Sequence, residues 1–462
     1  MFSAAGQVTM PNISLGRAVC GALLGLVPAT ALAQVEPISP IPTPPVAPGV
    51  TAPPTQPGIA TSVANRGRPD FDPIGLRQGP WFLYPRFGLD EVYNDNIFAT
   101  TSGRVSDFIT VLSPTLDVRS NLPSNALNFS VGSVIGLYAQ NSRANYQDAY
   151  GTTNGRIDID ADHDVHGSAN FTRGHVDFTS PLSPGGIESP VVTTAYGGTA
   201  GYEQTRLRVG YSFDAAALRT EYGAAQLIGD GLLPESNLNN WAYEATGRVS
   251  YEFVPNTQGY VRASYIRYVY DHGQSVAFPT LNSQGYRADV GARLNLTDLI
   301  FADAYVGYLQ QFYQSPTFGT INGPDLGAAV TWDITKLTSL NFTATRSIQN
   351  SNVFVVGNSP GYLRTAAGAR VDHEFLRNVL LNATVAWYHD DYQGITLTDN
   401  NYAFGVGAKY LLNRHLYLGL NYTYTRYLPS GTGSATAGGA TPAPVLFPYT
   451  QNIVMLRAST QF

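Results

Sequence analysis

From about Leu83 to the end of the chain, apolar and polar residues alternate with a period of two, which predicts strands with one apolar and one polar face. In "TSLNFTATRSIQN", Leu340, Phe342 and Ala344 fall on one face, and Ser339, Asn341, Thr343 and Thr345 on the other. In "NVLLNATVAWYHDDY", Val379, Leu381, Ala383, Val385 and Trp387 oppose Asn382, Thr384, Tyr388 and Asp390. In "HLYLGLNYTYTRY", Leu416, Leu418, Leu420, Tyr422 and Tyr424 oppose Gly419, Asn421, Thr423 and Thr425. Short turns, such as those near Pro255, Lys336 and Arg414, alternate with longer polar loops that begin near Phe178, Ile228, Gln314 and Pro429. The pattern is a hairpin repeat of about 40 residues and predicts about 18 antiparallel strands, with 16 as the alternative count.

A soluble sandwich also alternates, so the choice of class needs a further argument. The runs reach about 10 to 14 residues, which suits tilted membrane crossing better than the shorter strands of soluble sheets. Small polar residues on the second face suit a wet lumen and would make a poor dry core. Aromatic residues gather near strand ends, as at Tyr265, Tyr268 and Tyr270 or Trp387 and Tyr388, where an interfacial girdle is expected. Unpaired backbone groups are costly in lipid, so such a sheet must close. The predicted fold is an all-β, outer-membrane type antiparallel barrel.

Composition agrees with this. The 462-residue chain is 44% hydrophobic and 13% charged, the latter well below the quarter typical of soluble domains. Beyond the N-terminus no apolar run approaches a membrane helix. The net charge of −6 and the absence of basic runs give no footprint for nucleic acid.

At the N-terminus, Arg17, the apolar run Ala18 to Val27, and "ALAQ" read as a secretory signal peptide ending at Ala33. The single cysteine, Cys20, lies inside it, which leaves the mature chain without thiol chemistry. The expected organisation is a signal peptide over 1–33, a proline-rich periplasmic tether over 34–64, a lead-in over 65–81 and the barrel over 82–462. The final strand, "NIVMLRASTQF", places Val454, Leu456, Ala458 and Phe462 on one face. Its terminal phenylalanine resembles the signal by which outer-membrane barrels are recognised for insertion. With both termini in the periplasm, the strand count should be even.

Two polar stretches stand out along the pattern, of which only the first interrupts it. In "EVYNDNIFAT", Asn94, Asp95 and Asn96 read as the corner that ends the first strand, since a full calcium cage is not visible nearby. In "RIDIDADHDVHG", Asp158, Asp160, Asp162 and Asp164 alternate with Ile157, Ile159, Ala161 and His163, so a continuous strand would present all four carboxylates to the lumen. Either they bias the pore toward cations or bind sugar hydroxyls, or they pair with arginines, for which Arg206 and Arg208 are the candidates. His163 occupies the glycine position of an EF-hand loop, so that reading fails, and no metal site is expected. His163, His166 and His175 lie near Ser168, yet no nucleophile elbow or serine–histidine–acid geometry can be read there, so no catalytic residue and no cofactor are expected. Polar-face aromatics such as Tyr388 and Tyr417 either stack on sugar rings or are explained by girdle placement or lumen filling.

The stretches "RPDFDPIGLRQGPWFLYPRFGLDEVYNDNIFAT" from Arg68, "SDFITVLSPTLDVRSN" from Ser106 and "VTWDITKLTSLNFTATRS" from Val330 resemble the putative beta-barrel porin 2 family. The resemblance covers Arg68 to Phe462. It implies a Gram-negative outer-membrane barrel, often associated with exopolysaccharide systems, and it transfers no functional residue. The expected function is a porin-like channel for hydrophilic solute, associated with exopolysaccharide export. The alternatives are a non-conducting structural or interaction barrel and, least supported, an outer-membrane hydrolase. Expected partners are outer-membrane lipid, the barrel-assembly machinery through the C-terminal strand, and polysaccharide or its export components.

Overall fold

The computed structural model describes residues 62–180, 183, 187–227, 231–271, 279–297, 299–351, 359–431 and 446–462. The expected signal peptide and nearly all of the proline-rich segment lie outside the described residues.

A short strand β1 (Leu76–Gln78) precedes the barrel strands β2 (Trp81–Asn94), β3 (Asp107–Ser120), β4 (Ala126–Tyr138), β5 (Tyr146–Asp158), β6 (His163–Val176), β7 (Val191–Arg206) and β8 (Val209–Tyr222). A two-residue pair, β9 (Ala225–Gln226) and β10 (Leu232–Leu233), decorates the following loop. The barrel continues through β11 (Asn240–Val254), β12 (Thr257–Tyr270), β13 (Ser283–Thr297), β14 (Ile300–Tyr313), β15 (Ile321–Thr335) and β16 (Thr338–Asn350). It ends with β17 (Gly361–Leu376), β18 (Val379–Tyr392), β19 (Thr398–Leu411), β20 (Leu416–Ser430) and β21 (Tyr449–Gln461). Each of the 18 barrel strands pairs antiparallel with its sequence neighbour, and β21 returns to β2 to close the ring. This fixes the count at the larger of the two expected values. Helix among the described residues is limited to three 3-10 segments of three residues each.

Consecutive rows show why the chain closes this way. Val249, Val261, Val290, Val306 and Leu326 are cross-strand partners on β11 to β15, each 43–60% exposed, and form a band facing outward. One residue away, Arg248, Arg262, Asp289, Gly307 and Asp325 form the matching inward row. A one-residue slip would therefore exchange a lipid-facing row for a charged one, which pins the register.

Turns of two to five residues join strands at one end, and connections of five residues or more join them at the other. At the long-loop end the corner after β2 is stitched in place by side chains. The backbone N–H of Asn96 donates to Asn94 Oδ1 at 2.9 Å, and its own amide bonds Thr100 and the Thr450 carbonyl. Asp95 accepts from the backbone and amide of Asn452 at 2.6 and 2.7 Å. These residues form the corner read from the sequence, with the corner bonded to β21.

The seam also carries a charge pair. Arg457 on β21 donates to both oxygens of Asp90 on β2, at 2.7 and 2.6 Å, and Asp90 is 2% exposed. Removing one partner strands a buried charge, whereas removing both does not. Arg457→Ala is expected to lower stability by about 2 to 4 kcal/mol, and Asp90→Ala/Arg457→Ala to recover part of that loss, as measured by denaturant unfolding in vesicles.

Candidate functional site

The inward register of the barrel carries paired charges around much of its circumference. On β12 to β15, Arg262 Nε donates to both oxygens of Asp289 at 3.1 Å, and Arg287 contacts Asp289 at 3.3 Å and also bonds Asp325. Arg293 donates to Asp303 at 3.1 Å, and Asp303 also accepts from the Tyr260 hydroxyl at 2.8 Å. Gly307 lies between Asp289 and Asp325 in the pairing. A Cβ there would collide with the Ala288 carbonyl and with Asp289, so only glycine fits between the two acids. Farther round, Arg364 holds Asp390 through two bonds of 2.7 and 2.6 Å, and Arg370 holds Asp372 at 2.9 and 3.0 Å. On β2 and β3, Arg86 bonds Asp117 at 2.6 Å. Arg248 stacks 3.9 Å over the Tyr260 ring.

The sequence pattern contained the charged positions of this network, though not their pairing. "YRADVGARLN" places Arg287, Asp289 and Arg293 on one strand face with the same period as the aspartate run. The signal was charged residues on the polar register, and the aspartate run stands out from it only because its residues share one sign.

That aspartate run is not one strand. β5 ends at Asp158 and β6 begins at His163, with Asp160 and Asp162 in the exposed turn between them. Asp162 N–H donates to Asp160 Oδ1 at 2.9 Å, and Ile159 N–H closes the turn onto the His163 carbonyl. Aspartate suits this turn as readily as a polar strand face, so the alternation ran on through a reversal of the chain. Asp158 and Asp164 remain inward, directly opposite each other. Their compensation comes from Arg156, which bonds Asp158 at 2.8 Å, and from His166, whose two ring nitrogens lie 3.0 Å from Asp164 and Asp214. Arg206 and Arg208 do not supply it. Arg206 ends β7 on the outward register, Arg208 sits in the turn that follows, and neither pairs with a described acid.

Ser168 bonds Thr199 at 2.8 Å while His166 is held by two aspartates, so serine and histidine do not form a nucleophile–base pair. His175 is held by Asp148 at 2.9 Å and Asp177 at 3.5 Å. Among the described residues no group of three or more His, Cys, Asp or Glu is placed to hold a metal ion.

Both ends of the lumen are furnished. At the short-turn end the lead-in lies against the inner wall. Val63 N–H donates to Ser339 at 2.9 Å, Arg68 pairs with Glu374 at 3.0 Å, and Gln461 reaches the Phe71 carbonyl at 3.1 Å. At the long-loop end, inward tyrosines collect. Tyr268 and Tyr270 pack with Leu238, Leu281 and Phe318, while Tyr362 and Tyr392 have ring centroids 4.8 Å apart. Tyr268, Tyr270 and Tyr388 therefore belong to the lumen and not to the expected girdle, whereas Tyr265 and Trp387 do face outward. Above this collar a cavity of about 860 Å³ opens between loops, lined by Phe98, Phe178, Tyr427, Tyr449, Asn141 and Arg143 among others.

The inner acids give a graded test. Asp158→Asn/Asp164→Asn is expected to move the reversal potential under a salt gradient toward anion preference. Asp160→Asn/Asp162→Asn, in the solvated turn where counter-ions screen charge within about 10 Å, is expected to move it less than half as far.

No curated protein matches the sequence. Among solved structures, OccK1 (OpdK) of Pseudomonas aeruginosa aligns with 10% identity and a TM-score of 0.43, covering 82% of this chain and 99% of that one. OccAB3 of Acinetobacter baumannii aligns with 11% identity and a TM-score of 0.43 over the same shares. The copper transporter OprC aligns with 10% identity and a TM-score of 0.44, covering 86% and 82%. The family model described as putative beta-barrel porin 2 matches residues 68–438, most of the chain and nearly the whole of the closed barrel, and this porin-like outer-membrane protein belongs to that family.

Proposed function

We propose that the protein passes hydrophilic solute across the outer membrane, and that its cargo is polysaccharide handled by an exopolysaccharide export system. The observation that carries the transport reading is the inner wall. Its charges are held in pairs such as Arg364–Asp390 and Arg262–Asp289, with side chains at most 12% exposed, so the wall is polar and locally near neutral, which suits an uncharged hydrophilic solute. The loop cavity supports the polysaccharide reading. Its volume falls in the range of small-molecule sites, and its lining sets Phe98, Phe178 and the stacked, largely buried pair Tyr427 and Tyr449 beside Asn141 and Arg143, aromatic surface and hydrogen-bond donors together. Both termini lie in the periplasm in this reading, and the long loops face outward. The C-terminal strand with Val454, Leu456, Ala458 and Phe462 is the segment offered to the assembly machinery.

One observation favours a second reading, a non-conducting structural barrel within an envelope complex. The lead-in occupies inner-wall positions on β16, β17 and β21 at the short-turn mouth.

Single-channel recording of the refolded mature chain in planar bilayers separates the two. Stable conductance steps that oligosaccharide blocks, with block relieved by Tyr427→Ala/Tyr449→Ala, are the expected result. A demonstrably folded barrel that conducts no current would favour the structural reading, and conductance indifferent to oligosaccharide would remove the polysaccharide refinement alone.

A further inference from the structure

The outward register is asymmetric in charge. At the short-turn end it carries residues such as Phe253, Leu296, Trp332, Phe375 and Tyr410, with Arg206 as its arginine. At the long-loop end it carries Arg173 on β6, Arg219 on β8, Arg267 on β12, Arg346 on β16 and Arg426 on β20, each three or four residues from the strand's end. Their register is fixed by outward neighbours, since Arg267 is the cross-strand partner of Tyr243 and Arg426 that of Tyr402 and Thr450.

Depth decides what these side chains meet. At a tilt near 40°, three or four residues from the strand end correspond to about 8 to 10 Å along the barrel axis, the edge of an apolar band about 25 Å tall. An arginine there costs about 0 to 1 kcal/mol, far less than at the midplane, and sits at headgroup level. The aromatic girdle marks the same level: Tyr196 and Tyr243 flank Trp241, over whose ring Arg219 lies at 6.0 Å.

The arginines differ in occupancy. Arg219 is taken by Asp271 and Glu221. Arg173, Arg267, Arg346 and Arg426 make no hydrogen bond or ion pair with a described residue, and the Nε of Arg346 is buried without a partner. Arg104, from the loop after β2, bonds Thr450 at 2.6 Å beside Arg426, but it lies 3.8 Å from Asp95 and is therefore partly neutralised. Three acids share this end of the register, of which Glu221 is paired with Arg219, Glu91 bonds Thr110 and Asp391 lies beside Gln393.

We propose that this ring of arginines binds the phosphate groups of a phosphorylated glycolipid in the leaflet that surrounds the long-loop end. Guanidinium matches phosphate bidentately, and several such contacts around one circumference hold the barrel at a fixed depth and orientation. The inference concerns the lipid-facing surface and holds whether or not the lumen conducts.

The test uses the refolded mature chain in phosphatidylcholine vesicles doped with bisphosphorylated lipid A or its dephosphorylated form, with lipid retained per barrel measured after purification. Wild-type protein is expected to retain the phosphorylated form at least about tenfold better, and Arg173→Gln/Arg267→Gln/Arg346→Gln/Arg426→Gln to lose that preference. Arg267→Gln/Arg426→Gln, a milder variant should the quadruple one fail to fold, is expected to be intermediate, and Arg206→Gln unchanged. Excess inorganic phosphate should leave the retained lipid in place. Equal retention of both lipids, unchanged retention by a folded multiple variant, or displacement by inorganic phosphate would overturn the proposal. So would a variant that alters only self-association, which would assign the ring to contacts between barrels.

Discussion

A backbone amide or carbonyl left unpaired in hydrocarbon costs several kcal/mol, and a strand edge presents a whole row of them. The structure follows from satisfying that constraint. Thirteen to sixteen residues per strand give a length that crosses the bilayer at a tilt, hairpins keep neighbours antiparallel, and the ring ends only where β21 meets β2. The β2–β21 seam has the greatest sequence separation of any barrel pairing, and it carries more than ladder bonds. Asp90–Arg457 locks its middle, while Asp95 and Asn96 bind Asn452 and Thr450 at its long-loop end. At the short-turn end β1 takes over as β2's partner from Leu83 to Trp81, where β21 has ended.

Closure turns the polar register inward, and the inward charges then need partners. They find many of them across strands, as in Arg262–Asp289, Arg364–Asp390 and Arg86–Asp117. Each such pair ties two strands with charge-assisted bonds and neutralises an inward charge that would otherwise lack a partner on the neighbouring strand. Where two arginines stand directly opposite, as Arg248 and Arg262 do, the aromatic rings of Tyr260 and Tyr305 take up the guanidinium faces at 3.9 and 4.7 Å. The wall is thus polar without a strong local field, except at the mouths, where the lead-in and the tyrosine collar change its character.

Most of this architecture was legible because period two is a direct readout of a strand between two solvents. The alternation of Leu416, Leu418 and Leu420 with Gly419 and Asn421 requires no tertiary knowledge. What the pattern hides is the turn that does not break it. Asp160 and Asp162 kept the alternation while the chain reversed, and Ile157 and Ile159, about 60% exposed, looked like one apolar face when only the first belongs to a strand. Facing was also invisible for tyrosine, which suits both an interface and a wet lumen. Tyr265 and Tyr268 differ only in parity, and that parity assigns one to lipid and the other to a buried cluster. The arginine–aspartate network escaped because many of its opposite charges come from different strands, a pairing that only the register reveals.

A closed ring whose alternate residues face lipid and water can be probed one position at a time. The single cysteine of the chain, Cys20, lies in the expected signal segment, so single-cysteine variants of the mature barrel report one site each. The experiment of choice is site-directed labelling along β18, with Asn382→Cys, Ala383→Cys, Thr384→Cys and Val385→Cys each exposed in turn to a membrane-impermeant maleimide and to a lipid-phase quencher. Strict alternation is expected: cysteine at 382 and 384 reacts with the aqueous reagent, and cysteine at 383 and 385, whose cross-strand neighbours Val371 and Phe404 face outward, responds to the quencher. Equal aqueous reactivity at all four positions, or a pattern shifted by one residue, would refute the closed two-faced ring.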